Sequence, residues 1–128
     1  MPDREPPARI ARGAGSTRRA PVGAGGPTRH ELPAIDEAGL AAGRAADRVL
    51  AAAVAAGATR WIRYFETIPD RLRDDEPRAL RQVALRARAA YGAKESLRDD
   101  LPEEATEPFL EALDRLIKQL NRRDAGAA

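Results

Sequence analysis

Apolar residues recur along this chain at helical spacing, and no stretch alternates as a strand would. The first series is Leu50, Val54, Gly57, Trp61, Phe65, Ile68 and Leu72, stepping by three or four residues, which marks one face of a helix. Pro33 opens this region, and Asp36 and Glu37 place negative charge in the first turn, where it complements the helix dipole. Gly57 followed by Thr59 reads as a cap and a restart, predicting either a kink or two helices in line. Trp61 and Phe65 are expected in the core beside Leu50, Val54 and Ile68, because aromatics bury more area than other side chains.

A second series, Leu80, Val83, Ala87, Ala90, Lys94, Leu97 and Leu101, predicts one helix from about 76 to 100. Asp74-Asp75-Glu76-Pro77 starts it and Pro102 closes it. Pro69 ends the previous helix or starts a short turn capped by Thr67. Thr106-Glu107-Pro108 repeats the start signal ahead of the clearest stripe, Phe109, Leu113, Leu116 and Leu120, which Leu110 and Ile117 widen. Asn121 to Ala128 is expected to fray. The fold class is therefore all-α, a helical hairpin or three-helix bundle. Gly39 and Gly43 stand in a G-x-x-x-G spacing that an Ala/Gly-rich stretch produces by chance, and this is how it is read.

Residues 1–32 hold no apolar period and carry Pro2, Pro6, Pro7, Pro21, Pro27 and five glycines. Such a segment has too little to bury against its ordering entropy. It is expected to be a disordered Arg/Pro/Gly-rich tail, with 33–124 as the helical domain. Met1 to His30 contains six Arg against Asp3 and Glu5, whereas Glu31 onward holds 16 basic and 18 acidic residues. The tail is thus basic and the domain slightly acidic. Within the domain, eight Arg against five acids run from Arg60 to Arg88, and eight acids fall between Glu95 and Asp114. That segregation suits helix-to-helix pairing.

The chain has no cysteine, which excludes disulfides and thiolate chemistry. Arg18-Arg19 lacks a following apolar stretch, so an export signal is not expected. No apolar run approaches the roughly 20 residues of a membrane span. A cytoplasmic location without membrane insertion follows as the expectation. His30 is the single histidine and has no nucleophile near it, so no catalytic triad is assembled. Glu103, Glu107 and Glu111 recur every four residues, but Pro108 interrupts them and no histidine completes a metal set. They read as a solvated acidic cap. Gly23-Ala24-Gly25-Gly26 lacks the strand, Lys-Ser/Thr and helix of a phosphate loop. Catalytic residues, cofactors, metals and small-molecule ligands are accordingly not expected.

What is left is an interaction protein. From Glu31 onward 24 of 98 residues are large and apolar, a thin core that association commonly supplements. The primary expectation is a non-catalytic helical module that binds a second copy, as a homodimer, or another protein. Leu110, Ile117, Leu113, Trp61 and Phe65 are its candidate contacts. The alternative is a nucleic-acid-associated regulator. The stretch from Thr67 to Pro77 followed by Arg78, Arg81, Gln82 and Arg86 mimics a helix-turn-helix, and Arg18 and Arg19 of the tail would add affinity. Asp74, Asp75 and Glu76 oppose that reading by placing negative charge where phosphates approach.

Overall fold

Pro33 at the first position and Asp36 in the first turn start α1 (Pro33–Ala56), where a missing N–H and a negative charge are both tolerated. The computed structural model describes residues 26–92 and 96–127, without the side chains of 124–127. α1 ends at Gly57, whose φ of 65° is the left-handed conformation that glycine adopts without steric cost. The Ala58 N–H closes back on the Ala53 carbonyl at 2.9 Å and that of Gly57 on Val54 at 3.1 Å, a Schellman stop. α2 (Thr59–Phe65) and α3 (Ile68–Asp74) follow, Pro69 lying in the first turn of α3. α4 (Pro77–Arg88) has Glu76 as its N-cap. A 3-10 turn over Ala89–Tyr91 then leads to Gly92. α5 (Leu97–Asp100) is a single turn, and α6 (Glu103–Ala127) completes the chain.

The fold is all-α, and no strand occurs among the described residues. α1, α4 and α6 are its long members. α6 packs on α1 and α4, and α3 on the same two. The α2–α3 segment therefore forms a fourth side of the bundle. Phe65 meets Phe109 edge-on at 5.6 Å between ring centres, joining α2 to α6. Trp61 donates its indole N–H to Asp100 at 2.7 Å, joining α2 to α5. Trp61, Phe65, Ile68, Leu72, Leu80, Val83, Leu97, Phe109, Leu113, Leu116 and Leu120 are all buried.

Several expectations need correction. The buried face of α1 is Ala42, Ala46, Val49 and Ala53, while Leu50 is half-buried and Val54 is 59% exposed. A stripe through Leu50 and Val54 cannot cross the left-handed stop at Gly57. The expected helix from 76 to 100 is two helices separated after Tyr91, and Lys94 lies outside the described residues. α6 starts at Glu103, so Pro108 sits inside it, and the helix runs on to Ala127 instead of fraying from Asn121.

The two glycines of α1 are no accident of composition. A Cβ on Gly39 would lie 2.9 Å from the Leu72 carbonyl, and one on Gly43 would lie 3.2 Å from that of Pro69. They form the notch through which α1 and α3 approach backbone to backbone. Arg29 fills the end of that notch and is only 4% exposed. Its guanidinium donates to the carbonyls of Leu72 at 2.7 Å and Asp75 at 3.1 Å, to Asp36 Oδ1 at 2.8 Å and to the Asp36 carbonyl at 3.3 Å. Its backbone N–H donates to Glu76 at 2.7 Å. A capping box, with Thr28 N–H on Glu31 at 2.9 Å, shapes the short 3-10 turn that carries it. The ordered unit thus begins before Pro33, in residues expected to belong to the tail.

Candidate functional site

α4 and α6 are both amphipathic, and their apolar stripes turn inward together. On α4, Leu80, Val83, Ala84 and Ala87 are buried, and on α6, Thr106, Phe109, Leu113, Leu116 and Leu120. Two polar contacts cross between the helices. Arg81 donates to Asn121 at 2.8 Å, and Arg88 to Asp114 at 3.0 Å. Seven residues forward on α4 match seven backward on α6, which sets the pair antiparallel. The same register puts Leu85 at the level of Ile117, between the two contacts.

Apolar surface reaches solvent at this seam, as it does at Leu40 and Val54 of α1. Leu85 is 47% exposed. Ile117 is half-buried and leans on the core. Leu110, two turns before Ile117 on the same flank of α6, is also half-buried. Tyr91 closes the end of the seam, its hydroxyl donating to the Thr106 carbonyl. Burial, reinforced by the charge of Glu107, raises the Tyr91 pKa and keeps it a neutral donor. Arg98 grips Glu107 through two bonds of 2.8 and 2.9 Å, which holds that carboxyl below its ordinary range and fixes α5 to α6.

The candidate contact residues divide accordingly. Trp61, Phe65 and Leu113 are enclosed by the chain's own core, so the folded protein has no face on which they meet a partner. Their burial satisfies the helical stripes of this molecule, which corrects the expectation that they bind another. Leu110 and Ile117 do reach the surface. Leu85 belongs with them, although it was missed because it stands beside the α4 stripe and not in it. Its signal was a large aliphatic residue among Arg81, Gln82, Arg86 and Arg88.

The basic candidates separate as well. Arg78, Gln82 and Arg86 are exposed and spaced four apart, so they share the outer face of α4. The Arg86 guanidinium sits 5.3 Å over the Tyr64 ring. Arg81 turns toward α6. Arg18 and Arg19 lie outside the described residues, as does most of the expected tail.

Among the described residues, no group of His, Cys, Asp or Glu is arranged to hold a metal ion. Glu107 of the acidic series is taken up by Arg98. Ser96 is buried and tied to Asp99 by a 3.1 Å bond from its backbone N–H. No described helix is long and apolar enough to cross a membrane. Compared with known proteins, the chain matches no family model, no curated protein and no solved structure.

Proposed function

We propose that this protein is a non-catalytic helical interaction module that pairs with a second copy of itself through the α4–α6 seam. The observation that carries this reading is Leu85, nearly half exposed in the seam, at the level of Ile117 and between two polar clasps. A large aliphatic side chain held out by a rigid helix beside other apolar surface is what a docking patch offers. A two-fold axis parallel to the helices sets α4 of each copy against α6 of the other. The arginines toward the end of α4 then face Glu111 and Asp114, and the same contact is made twice.

Light scattering at micromolar concentration should give a mass near twice the 13.8 kDa of the chain. Leu85→Glu should give a folded monomer with unchanged helicity. Leu85 is the better probe than Ile117, because Ile117 also packs on the core and charging it would unfold the bundle. A wild type that stays monomeric at hundreds of micromolar would overturn the proposal.

A further inference from the structure

The outer face of α4 borders the seam, since Arg78 precedes Leu85 by seven residues and Gln82 precedes it by three. Arg78, Gln82 and Arg86 stand in line along it, about 6 Å apart per step, on a helix anchored by five buried residues. Among the described residues, neither Arg78 nor Arg86 is ion-paired with a carboxylate. The acids that precede α4 are the main objection to an anionic partner, and two of them, Asp70 and Asp75, are ion-paired within the chain. Asp70 is bonded to Arg73. Asp75 is bonded to Arg71 at 2.9 Å. Glu76 accepts the Arg29 N–H at 2.7 Å. Asp74 is left exposed.

The same Arg29–Glu76 bond fixes where the N-terminal stretch joins the bundle. It joins at the start of α4, and Gly26 lies against the Arg123 guanidinium of α6, with a Cβ there 3.1 Å from it. In the sequence, Arg4, Arg9, Arg12, Arg18 and Arg19 precede Gly26. Regularly spaced guanidiniums with an interleaved amide donor match a polyphosphate, which accepts from Arg and Gln alike. An acidic protein would need no such even row.

We propose that the outer face of α4, through Arg78, Gln82 and Arg86, binds the phosphate backbone of duplex nucleic acid. The contact is electrostatic and indifferent to base sequence.

The test is fluorescence anisotropy of the full chain with a labelled duplex DNA of arbitrary sequence, titrated between about 50 and 200 mM salt, where phosphate contacts weaken most visibly. Log affinity should fall linearly with log salt. The double variant Arg78→Glu/Arg86→Glu should bind at least tenfold more weakly, and its salt slope should be shallower by about two, near 0.9 per lost phosphate contact. Asp74→Asn should tighten binding several-fold. Arg44→Glu, on an exposed turn of α1, is the matched control and should stay within threefold of wild type. Circular dichroism verifies that each variant is folded. The proposal fails if the wild type does not bind at the lowest salt, or if Arg44→Glu weakens binding as much as the double variant. It fails equally if the double variant binds like wild type, which would place the contacts elsewhere. Tighter binding to polyglutamate than to the duplex would assign the face to an acidic protein instead.

Discussion

At the scale of single residues, Arg29 and Gly39 carry consequences out of proportion to their size. Arg29 satisfies carbonyls that α3 and its following turn leave open, one of them fully out of water. Arg29→Ala should cost about 2–4 kcal/mol, because an orphaned buried carbonyl is dearer than the bond it loses. Urea unfolding of the full chain measures this, and Arg29→Lys should not restore it, since an ammonium cannot span the same carbonyls. Gly39→Ala should also destabilise. The new Cβ meets the Leu72 carbonyl at 2.9 Å and Arg29 Nη2 at 2.5 Å, and overpacking of this kind costs about 1–3 kcal/mol. Gly57→Ala is the contrasting case, with nothing within 4 Å, so its penalty of about 1–2 kcal/mol is purely that of the left-handed backbone. Neither Arg29 nor Gly39 was legible in the sequence as structural. The partners of Arg29 are main-chain oxygens of residues 72 and 75, which no pattern of side chains encodes. The notch at Gly39 depends on α3 crossing there, which the G-x-x-x-G spacing alone does not specify.

Among the elements, the buried faces of α4 and α6 were readable and that of α1 was not, for one reason. Periodicity needs contrast between the two faces of a helix. α4 and α6 have it, with Leu80, Val83 and Ala87, and then Phe109, Leu113, Leu116 and Leu120, all turned inward. In α1, alanines fill both the buried positions, such as Ala42 and Ala46, and exposed ones, such as Ala51 and Ala55. The larger Leu50 and Val54 then drew the stripe onto the wrong flank. Phe65→Ala should cost about 3–5 kcal/mol, because its ring bridges α2 to Phe109 of α6. Pro108→Ala should raise the thermal midpoint. Pro108 lies inside α6 and provides no N–H for the carbonyl of Glu104, a defect that helix interiors tolerate poorly. The tie between α5 and α6 should depend on pH. Arg98 lowers the Glu107 pKa, so the stabilisation is complete above the ordinary carboxylate range and is lost as pH falls through the depressed value. In Glu107→Gln this part of the acid dependence should be gone from unfolding curves recorded between neutral and acid pH.

For the molecule as a whole, a core built so heavily on alanine leaves stability sensitive to association. If copies pair through the seam, the thermal midpoint should climb with protein concentration, as mass action requires. Leu85→Glu should abolish that dependence while leaving the midpoint at the dilute limit nearly unchanged. Truncation separates the contribution of residues 1–25 from that of the turn that carries Arg29. Removing residues 1–25 should leave the midpoint unmoved, whereas removing 1–31 should lower it by about 10 °C or more, since it takes Arg29 as well. At 60–100 residues a loss of about 1 kcal/mol shifts the midpoint by about 4–8 °C. The candidate surface was half legible from the sequence. Leu110 and Ile117 stood out as a second row on α6, but the register that brings Leu85 to them arises only from the pairing of two helices distant in the chain.

The Arg29 latch also orders events in time. Its receptor is complete only once α1 has crossed α3, because it grips the carbonyls of Leu72 and Asp75, in and just after α3, together with that of Asp36 in α1. Docking must follow that crossing, and the latch is expected to close after the rate-limiting step of folding. In stopped-flow measurements, Arg29→Ala should leave the refolding limb where it is and lift the unfolding limb by nearly the full loss of stability. On that outcome the residue would set how long the native state survives and have little say in how fast it forms.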